Sequence, residues 1–258
     1  MPTFKSRISD WLARRGIRIV TRNSPNFDVI PRNVEPEFLE AYAHCGPLST
    51  ATADAMYGLW RAVEYVVRCD IPGDFVECGV FRGASTAMAA MAFRHFTGGN
   101  VDRQFYLYDT FAGMPAPTER DVDFAGRTPE EHLAAWGATN ISAMANSPMD
   151  EVRANLRATG LPPEQFTFVQ GKVEETLPAQ IPRGPISILR LDTDWYESTR
   201  HELIHLFPRL VSGGVLVVDD YGFWRGSRDA CDEYFRDNKS RMLLSRVDRT
   251  GTVIGVKP

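Results

Sequence analysis

Short apolar runs in this sequence repeatedly end on carboxylates. Asp74-Phe-Val-Glu-Cys78 carries Glu77 and runs into Gly79. Gln104-Phe-Tyr-Leu-Tyr108 stops at Asp109. Ile186–Leu191 stops at Asp192-Thr193-Asp194, and Val215–Val218 at Asp219-Asp220. Phe166–Val169 is a further short run. Runs that are apolar on both faces fit strands of a parallel sheet covered by helices on each side. Helical spacing fills the gaps. Ala51, Ala55, Leu59, Ala62, Val63 and Val66 share one face of a helix over Thr50–Arg68. Further helices are predicted over Ala84–Phe96, Asp150–Ala158, Ser198–Leu210 and Ser227–Asp237, with Gly213-Gly214 turning the chain into its last buried strand. Leu243–Val247 and Thr252–Val256 flank Arg249-Thr250-Gly251 and predict a terminal antiparallel hairpin, Thr252–Val256 being the inserted strand. The expected fold is α/β: a Rossmann-like, doubly wound sheet, mainly parallel, with a C-terminal antiparallel hairpin.

The alternation pauses at about residues 113–147, where prolines, glycines and acids surround a short helical piece near Glu130–Trp136. Long insertions of this kind are commonly functional, and Phe124, Leu133 and Trp136 give it apolar surface to bury. We therefore expect a lid. The expected organisation is an N-terminal arm and helical extension over 1–46, then one domain over 47–258. The arm is basic (Lys5, Arg7, Arg14, Arg15, Arg18, Arg22), with Ile8, Trp11, Leu12 and Arg15 at helical spacing. It reads as a surface arm or a segment that packs on a partner subunit. A formal charge of −4 over 258 residues lacks the basic footprint of a nucleic-acid binder, and no apolar run reaches membrane-spanning length. Cys45, Cys69, Cys78 and Cys231 are scattered and read as reduced thiols. A cytoplasmic protein, with neither nucleic acid nor membrane as partner, is expected. Its expected assembly is a homo-oligomer, a dimer or a tetramer.

The first strand leads into Glu77-Cys-Gly79-Val-Phe-Arg-Gly83-Ala-Ser85. The spacing departs from the dinucleotide fingerprint G-x-G-x-x-G. An acid ahead of the first glycine is unfavourable beside a pyrophosphate but suits an ammonium. Asp109, closing the second strand, is placed to accept from ribose hydroxyls. Together these features suggest S-adenosylmethionine. Asp192, Asp194, Asp219 and Asp220 all fall at strand C-terminal ends, where ligands of open α/β sheets bind. Four like charges there would force some to protonate unless a cation intervenes. Oxygen ligands without His or Cys suit a hard ion, Mg²⁺ before Mn²⁺ or Ca²⁺. Any one of these aspartates could instead cap a helix or face water.

The motifs DFVECGVFRGAST, YDTFAGMP, LRLDTDWYEST and GGVLVVDDYG, spread from about Pro47 to the C-terminus, resemble those of the Mg²⁺-dependent sugar O-methyltransferases of antibiotic biosynthesis. That family includes the macrocin, mycinamicin and noviose O-methyltransferases. The resemblance implies a class I methyltransferase fold and transfer of a methyl group to a hydroxyl of a deoxysugar on a macrolide or related natural product, a glycosylated small-molecule acceptor. It implies Asp192, Asp219 and Asp220 as Mg²⁺ ligands and Asp194 as general base. It further implies Glu77, Gly79, Gly83 and Ser85 under the methionine part of the cofactor, Asp109 at the ribose, and Lys172 and Val173 at the adenine.

Asp194 lies two residues beyond Asp192 and is expected on the same strand face, within reach of an activated hydroxyl. Trp195 and Tyr196 either line the sugar pocket or pack under the following helix. His132, in the insertion, is the one histidine considered for substrate contact. His201 and His205 are spaced i, i+4 without an H-E-x-x-H motif and read as non-ligands. The competing readings are a catechol-type O-methyltransferase, a nucleotide-dependent oxidoreductase and a non-catalytic S-adenosylmethionine-binding module.

Overall fold

A computed structural model describes residue 30, residues 33–136 and residues 145–258. A single seven-stranded sheet has the order β3-β2-β1-β4-β5-β7-β6. Its parallel strands are β1 (Asp74–Cys78), β2 (Phe105–Asp109), β3 (Phe166–Gln170), β4 (Ile186–Leu191) and β5 (Leu210–Val218). β7 (Val253–Val256) is antiparallel to β5 and to β6 (Ser245–Arg246), and sits between them. The expected sheet, hairpin and inserted strand are therefore present. From β1 the chain moves outward to β2 and β3 on one side, then returns to β4 and β5 on the other. This reversal opens a crevice beyond the C-terminal ends of β1 and β4, the usual ligand position in such sheets.

Helices cover both faces. Helices α1 (Pro36–Cys45), α2 (Ala53–Arg68) and α3 (Ala84–Phe96) bury Phe38, Trp60, Met88 and Phe93 against Phe75 and Phe105. α5 (Met149–Leu156) adds Val152 and Leu156 to the same core. α4 (Pro129–Trp136) belongs to the insertion. On the opposite face, α6 (Val173–Thr176), α7 (Tyr196–His205) and α8 (Arg225–Asp237) contribute Val173, Leu203, Cys231 and Tyr234 over Val76, Leu189 and Leu216.

Local chemistry moved several boundaries. The helix expected over Ser198–Leu210 begins at Tyr196 and stops at His205, because Pro208 removes a donor and forces a short 3₁₀ turn over Phe207–Arg209. Gly213-Gly214 lies inside β5, where the register against β4 shifts, and does not precede the strand as a turn. Gly213 has φ +79°, so the irregularity needs a residue free to enter the left-handed region. In the insertion Leu133 is buried as expected, but Phe124 is 43 % exposed, with the guanidinium of Arg228 above its ring. The side chain of Trp136, residues 137–144 and the basic N-terminal arm through residue 29 lie outside the described residues. Among the described residues no helix is long and apolar enough to cross a membrane. The four cysteines are free thiols.

Candidate active site

A cavity of about 200 Å³ lies at the C-terminal edge of the sheet. One wall is formed by Gly79, Phe81, Asp109 and Thr110, and another by Lys172, Val173 and Glu174. Asp192, Thr193, Asp194 and Ser198 face them. The turn after β1 has little room for alternatives. Gly79 has φ +82°, and a Cβ there would collide with the carbonyl of Asp192, whose own N–H donates to Cys78 O at 2.9 Å. Gly83, at φ +80°, starts α3. Ser85 is buried in that helix's first turn.

Asp109 pins this turn from the neighbouring strand. Its Oδ2 accepts from Val80 N at 2.6 Å and Phe81 N at 3.0 Å, and its Oδ1 from Phe111 N at 2.7 Å. It also lines the cavity. The residue expected at the ribose thus holds the glycine loop as well. Glu77 points elsewhere. It is fully buried, accepts from Arg190 Nη1 at 2.8 Å and from the Thr86 hydroxyl, and is absent from the cavity lining. Burial pushes its carboxyl up, with Arg190 and Thr86 opposing. Lys172 and Val173, expected at the cofactor base, line the cavity.

Sequence reasoning passed over Arg190. It stands in β4 between apolar neighbours and is 4 % exposed. Besides Glu77 it pairs with Asp192 Oδ2 at 2.6 Å and Asp219 Oδ1 at 2.7 Å. The acidic edge therefore carries its own counter-charge, contrary to the reading of four uncompensated aspartates. A charged residue in the middle of a buried apolar run was the available signal, since such a residue must be paired.

Asp194 reaches the cluster by a different route from the one expected. β4 ends at Leu191, and Asp194 has φ +66°, a left-handed conformation uncommon outside Gly, Asn and Asp. A backbone kink, and not strand alternation, brings its carboxylate beside those of Asp192 and Asp220. One oxygen from each of the three lies within 4.8 Å of the others. Asp220 Oδ2 is buried without a hydrogen-bond partner. Burial pushes Asp194 up to about 7; a hydrogen bond with Asp220 opposes this, while the charges of Asp192 and Asp219 add to it. Burial also raises Asp192 and Asp220 well above the usual carboxylate range, with Arg190 opposing in both. Three converging oxygens and an orphaned buried acceptor fit a hard divalent cation. Asp219 is held instead by Arg190 and, at 3.4 Å, by the Thr252 hydroxyl.

The aromatic residues behind the site pack. Trp195 is buried against Trp224, with ring centroids 5.3 Å apart, and donates to Pro115 O at 3.0 Å. Tyr196 donates to Glu233 Oε2 at 2.6 Å beneath the guanidinium of Arg120. His132 is buried, with Nε2 2.9 Å from Asp123 Oδ2. None of the three lines the cavity.

Residues 48–254 match the family described as macrocin-O-methyltransferase (TylF). The 8-demethyl-8-(2,3-dimethoxy-alpha-L-rhamnosyl)-tetracenomycin-C 4'-O-methyltransferase of Streptomyces olivaceus is 33 % identical over 211 residues, 78 % of this chain and 75 % of that one. The demethyldecarbamoylnovobiocin O-methyltransferase of Streptomyces niveus is 33 % identical over 207 residues, with the same coverage. The solved structure of the O-methyltransferase NovP superposes with a TM-score of 0.69 at 27 % identity, covering 81 % of this chain and 82 % of NovP. With a family match over residues 48–254 and relatives 33 % identical over more than three quarters of it, the chain is an O-methyltransferase and belongs to the macrocin-O-methyltransferase (TylF) family.

Proposed function

We propose that this enzyme methylates a hydroxyl of a sugar carried by a natural product, using S-adenosylmethionine and a divalent cation, Mg²⁺ first. The observation that carries the reading is one cavity lined by Gly79, Asp109 and Lys172 on one side and by Asp192 and Asp194 on the other. Donor and acceptor can then meet in one cleft, which is what in-line transfer needs. The relative from Streptomyces olivaceus acts, by its name, on a rhamnosyl tetracenomycin, which supports a sugar acceptor.

The cofactor supplies an activated methyl group. The Gly79 turn and Asp109 would seat it, with Asp109 accepting from the ribose and Lys172 and Val173 flanking the base. Asp192 and Asp220, with Asp219 beside them on Arg190, would hold the cation, which supplies Lewis acidity and a template for adjacent hydroxyl oxygens. Asp194 would take the proton of the attacking hydroxyl, as a general base held next to the ligands. The insertion over about 113–147 would close the site from water.

The test is a methyl-transfer screen against deoxysugar-bearing natural products, with Mg²⁺ and with EDTA. Cation-dependent appearance of a sugar O-methyl product is expected. Transfer to simple catechols alone, or equal transfer in EDTA, would count against the reading.

A further inference from the structure

The acidic edge is assembled around Arg190. Its guanidinium joins the ends of three adjacent parallel strands: Glu77 on β1 at 2.8 Å, Asp192 beyond β4 at 2.6 Å and Asp219 beyond β5 at 2.7 Å. It is almost completely buried, and so is Glu77, so this is not a loose surface pair. A guanidinium offers a planar fork that fixes its partners' orientation, which an ammonium cannot reproduce. One oxygen each of Asp192 and Asp219 is engaged by the fork. Asp192 also gives an oxygen to the trio it forms with Asp194 and Asp220, so the fork and the trio share this carboxylate; Asp219 is outside the trio.

We propose that Arg190 is a positioning residue for the cation: it fixes the side chain of Asp192 so that it presents an oxygen to the ion, and Glu77 and Asp219 hold Arg190 in place. The inference rests on the reading of the acidic edge as a cation site. It differs from a plain counter-charge role in sign. A positive charge next to a cation site repels the ion, so a neutral replacement would tighten cation binding if charge alone mattered. If Arg190 positions ligands, the same replacement loosens binding. Groups that orient metal ligands typically contribute about 10- to 100-fold in affinity.

The experiment measures Mn²⁺ uptake by the full chain through loss of the free-ion electron paramagnetic resonance signal, with folding followed by circular dichroism. Three proteins are compared: wild type, Arg190→Lys and Arg190→Gln. Weaker Mn²⁺ binding by about tenfold or more in both variants is expected. Arg190→Lys keeps the charge, so its loss isolates geometry, and it serves alone if Arg190→Gln fails to fold. Unchanged affinity in Arg190→Lys, or tighter binding in Arg190→Gln, overturns the proposal while leaving the cation site standing. Failure of both variants to fold at saturating Mn²⁺ also overturns it, because Arg190 would then serve the sheet and not the ligands. No Mn²⁺ uptake by the wild type would overturn the cation site itself, and this inference with it.

Discussion

Asp194 occupies a kinked residue between a metal-ligand candidate and a helix start, and its geometry allows it either of two jobs. Its oxygen lies with those of Asp192 and Asp220, yet its proposed role is proton removal. The Asn variant separates the two. Asp194→Asn keeps the shape and loses the acceptor, so turnover should fall by at least about 10²-fold, the low end for a lost general base. Cofactor affinity should hold, and the loss should persist at saturating Mg²⁺ in steady-state assays. Rescue by excess Mg²⁺ would make Asp194 a ligand. Asp192→Ala should instead raise the Mg²⁺ requirement and lower activity together. Asp109 combines an observed job with a proposed one. Asp109→Ala removes the acceptor for three backbone N–H groups of neighbouring turns as well as the proposed ribose contact. Hydrogen bonds to a charged group are worth about 1.5–3 kcal/mol each. Calorimetry should show both a lower melting temperature and weaker adenosylhomocysteine binding; unchanged affinity would place the ribose elsewhere.

At the scale of elements, the first part of the insertion is built onto α7 and α8. Asp121 is fully buried; its Oδ1 accepts from Tyr196 N at 2.7 Å, capping α7 two residues beyond Asp194. Gly226 leaves room for that carboxylate, since a Cβ there would collide with it. Asp123 organises the next turn, accepting from Ala125 N, Arg127 N and Arg127 Nε, with His132 alongside. Burial opposes its charge, but the hydrogen bonds from Arg127 and His132 outweigh it and hold the carboxyl below the usual range. A depressed acid contributes stability that is present above its unfolded value, about 3.9, and is lost as pH falls towards the folded value. Acidification below about pH 4 should therefore loosen the turn and expose the Trp195–Trp224 pair before far-UV circular dichroism is lost. Tryptophan fluorescence reads this directly, and Asp123→Ala should show the acid-like signal at pH 7. A fluorescence change that coincides with global unfolding, in both proteins, would refute it.

Over the whole molecule, β7 does more than finish the chain. Val253–Val256 pairs with Val215–Val218, so the strand that delivers Asp219 and Asp220 is interior and not an edge. Thr252, just before β7, donates to Asp219. Removing 252–258 should expose β5 as an unpaired apolar edge, which invites pairing between chains. The truncated protein should aggregate on expression or lose its cooperative melt by calorimetry. A soluble monomer melting like the full chain would show that the hairpin is dispensable.

The sequence by itself determined the layer order, the parallel strands, the terminal hairpin and the gathering of acids at one sheet edge. Those features are written in local periodicity: both-face apolar runs, helical spacing, and the point at which each run stops. The Gly79 turn was legible too, although the Asp192 carbonyl that its glycine makes room for was not. Other features needed the tertiary structure, because they join residues far apart in the chain. The buried Arg190 takes its partners from three strands, so the balance of charge at the acidic edge cannot be summed from the motif LRLDTD alone. Trp195 and Tyr196 went to packing because the insertion supplies Pro115, Arg120 and Asp121 to meet them. Asp194 joined the cluster through a positive φ, which ends strand alternation and leaves no mark in hydrophobic period. Periodicity fixes which face a residue occupies within an element; which charges neutralise one another depends on how the elements are packed.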